Sequence, residues 1–289
     1  MNKIPISILI PTRNEEKNLP KCLEAIYNWA DEIIIVDSHS TDKTIEISES
    51  FGAKVIQFDN IQSWPKKRQW AIETFNFRND WLLMLDADEI LSEEGKKEMG
   101  LAIKSEEFKG FSLIFQMEFL GKQLRWAYQG LEKLVLFRKG FGGYEKRLDN
   151  QDDTMSDIEA NSHIIVNGKT TCLKTPVLHK NLNSLFHYIH KHNEYSSLEA
   201  YVNIFGNETE IKPSLLGSQA QRRRWIKKIL MGFPTISFIY FIYNFFLKLG
   251  FLDGKAGYYF CLLKMNYMIE IKAKMFELKL KTNNENKNS

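Results

Sequence analysis

Two carboxylates two residues apart, Asp86 and Asp88, directly follow the apolar run Trp81-Leu82-Leu83-Met84-Leu85. A pair in that position places oxygen ligands around a hard cation such as Mg2+ or Mn2+, which keeps waters and substrate phosphates as its other ligands. Two further apolar runs end in equally polar segments. Ile6–Ile10 leads into Pro11-Thr12-Arg13-Asn14-Glu15-Glu16, and Ile33–Val36 into Asp37-Ser38-His39-Ser40-Thr41-Asp42. Asp37, at a strand end, can accept hydrogen bonds from a base N–H or a ribose hydroxyl; the same segment also reads as a helix N-cap through Ser40 or Thr41. The first turn contains no GxGxxG, so the expectation is a nucleotide held by side chains rather than a pyrophosphate cradled by backbone N–H groups.

These segments need a scaffold, and the first ninety residues supply its pattern. Short β-branched or apolar runs at Ile6–Ile10, Ile33–Val36, Lys54–Gln57 and Trp81–Leu85 alternate with polar turns and helical spacing. Their centres lie roughly 20–30 residues apart, the length of a strand, a crossover helix and the return. This predicts an α/β fold: a Rossmann-like, mostly parallel sheet with helices on both faces and ligands beyond the carboxyl ends of its strands. From Phe111 to about Lys180 the rhythm gives way to short strands, among them Phe111–Gln116, Lys133–Phe137 and Ile164–Val166, and this is the expected acceptor-binding half. A helix is predicted from Asn183 to Tyr201, with Ser184 as its cap.

The chain of 289 residues, 44% hydrophobic and 26% charged, accommodates one α/β domain with an extension. A formal charge of +3 gives no reason to expect a nucleic-acid partner. Cys22, Cys172 and Cys261 are odd in number and lack CxxC spacing, which suggests neither a disulfide framework nor a thiolate zinc site and fits a reducing compartment. The apolar run near the N-terminus is too short for a secretory signal.

Ile229–Leu247 contains no charge and is long enough to reach across a bilayer. It follows Arg222, Arg223, Arg224, Lys227 and Lys228, a basic flank expected on the cytoplasmic side against anionic lipid. A second apolar stretch, Tyr258–Ile271, is broken by Lys264 and Glu270. The aromatic content of the first run favours a pair of helices lying in one leaflet over a span. The chain therefore reads as 1–110 and 111–217, two halves of one domain, 218–281, a membrane-associated helical segment, and 282–289, a disordered tail.

The segments ILIPTRNEE, IIIVDSHSTDKT, SWPKKRQWAI and WLLMLDADE, in that order, resemble family 2 glycosyltransferases of the GT-A fold. The resemblance implies that Pro11, Thr12 and Glu15 line the nucleotide site and that Asp37 contacts the uracil or ribose. It places Arg68 near the base and phosphates and Asp86 beside the ribose, with Asp88 ligating Mg2+ or Mn2+ on the diphosphate. Val166–Ala200 and Leu249–Lys264 resemble a narrower branch, bacterial enzymes building lipopolysaccharide core or exopolysaccharide. That implies a nucleotide-sugar donor, a lipid-linked or lipopolysaccharide acceptor, an anionic membrane surface and work at the cytoplasmic face of the bacterial inner membrane. It also implies that Lys191, with His192 and Asn193, faces donor phosphates or acceptor, a solvated helix face being the plain alternative.

Relatives of that branch carry a His-Glu pair just before the strand at Ile164, where this chain has Asn161-Ser162-His163. An inverting single displacement needs a carboxylate to take the acceptor proton. Glu159 is the expected base, with Asp157, Asp153 and Asp152 as substitutes. His187, His190 and His192 have poor spacing for zinc. Gln221-Arg222-Arg223-Arg224-Trp225 fits the QxxRW pattern of processive synthases, yet the juxtamembrane reading of its arginines is preferred. A sugar nucleotidyltransferase is the first alternative, disfavoured because Pro11–Glu16 holds no glycine. A non-catalytic membrane-associated relative is the second.

Overall fold

The computed structural model describes residues 3–59, 64–149, 162–181, 183–207, 211–217, 219, 221–222, 224–226 and 235–288. The chain forms two compact units. The first comprises Met1–Gln123, Gly130–Tyr144 and Asp157–Asn183; the second comprises Leu124–Gln129, Glu145–Ser156 and Ser184–Ser289. The strand that begins at Gly110 enters the same sheet as the strands before it.

In the first unit the four apolar runs become β1 (Ile4–Thr12), β2 (Ala30–Asp37), β3 (Lys54–Gln57) and β4 (Trp81–Met84), all paired in parallel. Helix α1 (Leu19–Ile26) has Pro20 in its first turn, where a missing N–H costs nothing. It buries Leu19, Cys22, Leu23 and Ile26, one face at helical spacing. α2 (Thr44–Ser50) joins β2 to β3, and α3 (Lys67–Thr74) carries the chain back past β2 and β1 to β4. Right-handed crossovers then put α3 on the sheet face opposite α1 and α2. α1 packs beside α2, and α3 against β1 and β2. The carboxyl ends of β1 and β4 therefore flank the point where strand order reverses, which is where an open α/β sheet leaves a crevice.

The sheet continues through β5 (Glu89–Ile90), β6 (Gly110–Phe119), β7 (Lys122–Gln123), β8 (Leu131–Arg138) and β11 (Thr170–Lys180), while α4 (Glu93–Ala102) follows β5. Among the described residues its order is β3-β2-β1-β4-β8-β6-β11-β5, with β7 on β6. β9 (Gly142–Tyr144) and β10 (Ile164–Val166) pair separately. The sheet is mixed: β6 and β11 pair in parallel like the first four strands, whereas β8 is antiparallel to β4 and β6, and β5 to β11. The cause is the link between β6 and β8, which holds only the short β7 and no crossover helix, so the next strand returns antiparallel. Ile6, Ile8, Ile10, Ile34, Val36, Leu83, Phe115 and Phe137 are among the residues that close the core.

In the second unit α5 (Leu185–Phe205) begins at the expected cap, Ser184, whose Oγ accepts the N–H of His187 at 3.4 Å. α6 (Ile236–Ile242) runs into a π-helical turn, Tyr243–Leu247; a 3-10 turn, Gly250–Asp253, then leads into α7 (Gly254–Asn288). α7 continues through 282–288, where a disordered tail is expected. The polar composition disfavours nucleating a helix there, but extending one already formed costs far less. Among the described residues no single helix is long and apolar enough to cross a membrane. The bent pair Ile236–Leu247 and Gly250–Asn284, at 73°, passes that test by length and composition only. Residues 229–234 of the apolar run lie outside the described residues.

Among the described residues of the basic flank, Arg224 turns inward. Arg224 donates to the buried carboxylate of Glu145 and, at 3.0 Å, to the carbonyl of Ile211, so its charge is used inside the unit. Arg222 is exposed, and Arg223, Lys227 and Lys228 lie outside the described residues.

Candidate functional site

Thr12 ends β1 and Asp37 ends β2 as register partners. The Thr12 hydroxyl donates to Asp37 Oδ1 at 2.7 Å, and Ser40 adds its own hydroxyl to Oδ1 at 2.5 Å and its N–H to Oδ2 at 2.7 Å. Asp37 is completely buried. Its carboxylate thus folds the loop after β2; the cap expected from Ser40 or Thr41 is not made, since α2 starts after Lys43 without a side-chain cap. A carboxylate has about four acceptor positions, so three donors leave room for one more.

The loops after β1 and β2 are laced together. Asn14 and His39 adopt positive φ, 56° and 49°, which turns their neighbours' N–H groups out of the sheet. The N–H of Asn14 donates to Ser40 Oγ (2.8 Å), that of Glu15 to Thr44 Oγ1 (2.8 Å) and that of Glu16 to Asp42 Oδ2 (3.1 Å), while Asn14 Oδ1 accepts from the N–H of Thr41 (2.8 Å). Glu15 Oε2 accepts from Asn18 Nδ2 (2.6 Å) and Asn183 Nδ2 (3.5 Å). Beneath them Lys67, almost fully buried, donates its ammonium to the carbonyl of Thr12 at 2.8 Å.

Across the crevice the Asp86–Glu89 turn closes on itself: Glu89 Oε2 accepts the N–H of Asp86 at 2.8 Å, and the N–H of Glu89 reaches the carbonyl of Asp86 at 3.0 Å. Arg68, from α3, pairs with Asp86 Oδ1 and lies 5.8 Å from the Tyr144 ring. Asp88 is held from β11 and the residue after it. Asn181 Nδ2 donates to Oδ2 at 3.0 Å, His179 Nε2 lies 3.3 Å from the same oxygen, and the N–H of Lys180 donates to the Asp88 carbonyl at 2.7 Å. Lys133 Nζ donates to Glu89 Oε1 at 3.0 Å. Burial pushes the Cys22 thiol well above its ordinary pKa, and Glu89, Asp88, Asp86 and Glu15 push it further, so negative charge gathers at this end of the sheet. Burial would depress the His179 pKa, but the Asp88 and Glu89 carboxylates outweigh it and raise it.

These residues fit a divalent cation. Among the described residues Asp88 Oδ1 has no hydrogen-bond partner, while Oδ2 is fully engaged. No group of three or more His, Cys, Asp or Glu side chains among them could hold a metal by itself. A divalent cation here would be held by the Asp88 carboxylate and would draw its remaining ligands from water and phosphate.

The first unit thus brings together Pro11, Thr12, Glu15, Asp37, Arg68, Asp86 and Asp88. Lys191 lies on α5 in the second unit. Asp152, Asp153, Asp157 and Glu159 lie outside the described residues. His192 is half-buried: its ring stacks on Tyr188 at 4.0 Å and its Nδ1 lies 2.9 Å from the Tyr188 carbonyl. Sequence reasoning missed Lys67, His179 and Asn181 as parts of the arrangement. Lys67 had a signal in its place beside Arg68; His179 and Asn181 lie within Val166–Ala200, a segment that carries the resemblance, but at the end of a strand the sequence did not mark.

The sequence pattern of glycosyl transferase family 2 matches residues 7–160, more than half of the chain. An uncharacterized glycosyltransferase of Rickettsia typhi is 27% identical over 286 residues, 96% of this chain and 89% of that one. Another, from Rickettsia felis, is 30% identical over 201 residues, 68% of this chain and 69% of that one. A glucosyl-3-phosphoglycerate synthase from Mycobacterium tuberculosis, solved with Mn2+, uridine diphosphate and glucosyl-3-phosphoglycerate, is 22% identical over 39% of this chain and 44% of its own, with a TM-score of 0.32. That likeness is too slight to carry an argument. With the match over residues 7–160, the chain belongs to glycosyl transferase family 2.

Proposed function

We propose that this glycosyltransferase has GT-A architecture and moves a sugar, with inversion, from a uridine diphosphate sugar to a lipid-linked or lipopolysaccharide-type glycan precursor, assisted by Mg2+ or Mn2+. The observation that carries the reading is Asp88, with one oxygen fixed and the other open, two residues beyond the Asp86 that pairs with Arg68 after β4. When bound, the cation supplies positive charge against the departing diphosphate. The chain's own residues do the rest: Thr12, Glu15 and Asp37 shape the nucleoside pocket, and Arg68 offers its guanidinium to base and phosphate. Nucleotide-sugars offered with Mg2+ or Mn2+, assayed for nucleoside diphosphate release, test the reading. Release from a uridine diphosphate sugar that stops with a chelator is the expected result; no release from any donor overturns it.

Glu159 is the proposed base, with Asp157 and Asp153 behind it. Glu159→Gln removes the basicity at constant size, so donor binding should persist while transfer falls by roughly a hundredfold or more. Full activity in Glu159→Gln together with a dead Asp153→Asn or Asp157→Asn would reassign the role.

Attachment to the cytoplasmic leaflet of the inner membrane belongs to the same proposal. Its support is an apolar face on α6 and the turn after it: Phe238, Phe246 and Leu247 are 62%, 54% and 72% exposed. Isolated apolar side chains on a surface are ordinary, but a continuous patch is not. Changing these three to serine should release the protein from vesicles of anionic lipid without lowering its melting temperature. Undiminished binding would remove this face from the membrane.

A further inference from the structure

Two lysines of α7 meet α5, and they are treated in opposite ways. Lys274 is an ammonium with every hydrogen placed: it donates to the carbonyl and side-chain oxygens of Asn193 and to the hydroxyls of Ser196 and Ser197, at 2.7–2.8 Å. Lys264, also facing α5, has three donors and, among the described residues, one hydrogen-bond acceptor, Nε2 of His192 at 3.3 Å. The rings of Phe260 and Tyr267 stand 5.8 and 5.6 Å from it. No carboxylate of the described residues is within ion-pair distance.

The histidine behind it is fixed as an acceptor. Nδ1 faces the Tyr188 carbonyl at 2.9 Å and so carries the proton, which leaves the Nε2 lone pair for Lys264. Stacking on Tyr188 and an edge contact with Tyr267 at 5.5 Å hold the ring in place. Burial, then the Lys264 charge, pushes the His192 pKa down to about 3, so the ring stays neutral, and Lys191 adds to the positive field. Burial pushes Lys264 down to about 8, which leaves it mostly charged at neutral pH. A half-buried ammonium with donors unspent and no counter-ion is costly. Cation–π contacts offset only part of that cost.

We propose that Lys264, backed by His192, is an anion site of the helical unit and takes a phosphate group. A tetrahedral phosphate oxygen accepts the free ammonium hydrogens and supplies the missing negative charge. The same chemistry is offered by a phospholipid head group and by a soluble phosphorylated molecule. The inference itself requires no sugar, nucleotide or metal.

The test uses the full chain and the ring resonances of His192, assigned with His192→Gln. Inorganic phosphate, titrated against chloride at constant ionic strength, should shift them saturably. Lys264→Arg should keep the shift, and Lys264→Met should weaken apparent affinity about tenfold or more. Flotation with phosphatidylglycerol and phosphatidylcholine vesicles separates the sources. Preferential loss of phosphatidylglycerol binding in Lys264→Met supports a lipid head group, whereas equal flotation with a lost phosphate shift supports a soluble phosphate. His192 resonances that respond to neither probe, or that respond equally in Lys264→Met, overturn the proposal.

Discussion

Asp88→Asn is expected to lower glycosyl transfer by roughly a thousandfold or more, because the departing diphosphate loses the cation that balances its growing charge. The substitution also removes the carboxylate charge beside His179. Asparagine keeps the shape, and the backbone carbonyl of residue 88 still accepts the N–H of Lys180. The loss should therefore appear in Mn2+ affinity measured with uridine diphosphate as well as in turnover. Asn181→Ala is the graded counterpart. It removes the donor that pins Oδ2 at 3.0 Å and leaves both carboxylate oxygens in place, so Mn2+ affinity should fall by about tenfold, the usual effect of losing a group that orients a ligand. Normal turnover of Asp88→Asn in a chelator would remove the cation from the reaction.

The second large effect is on stability. Gly257→Ala should destabilise the helical unit by roughly 3 kcal/mol. A Cβ at that position would stand 2.2 Å from the carbonyl oxygen of Gly250 and 2.7 Å from Cβ of Asp253. Both are anchored. Asp253 is buried and accepts the N–H groups of Arg125, Trp126 and Ala127 at 2.8–3.2 Å, so the 3-10 turn cannot retreat from a methyl group. Gly250 is pressed from its other side as well, since its own Cβ would meet the Asn244 carbonyl at 2.6 Å. Thermal or urea unfolding followed by far-UV circular dichroism would show the loss, and Gly100→Ala, where nothing lies within 4 Å, is the control that should stay near the parent. Equal stability of Gly257→Ala would mean that α7 can slide on the turn.

The sequence by itself determined the parallel half of the sheet and the polar ends of β1, β2 and β4. Ile6–Ile10, Ile33–Val36, Lys54–Gln57 and Trp81–Leu85 match their strands closely, because a buried parallel strand is a continuous apolar run and the turn after it must be polar. Ser184 was legible as a cap for a similarly local reason. What depends on contacts far apart in the chain was not legible. The antiparallel strands β8 and β5 fill the sheet through pairings whose partners carry no mark in their own composition. Only tertiary structure brought His179 and Asn181 to Asp88, each across more than ninety residues. It also turned Arg224 from a surface charge into the partner of buried Glu145, and set neutral His192 behind Lys264. In each case residue type is a local property, whereas the partner, the burial and hence the work done by the charge are set by packing, which no single segment encodes.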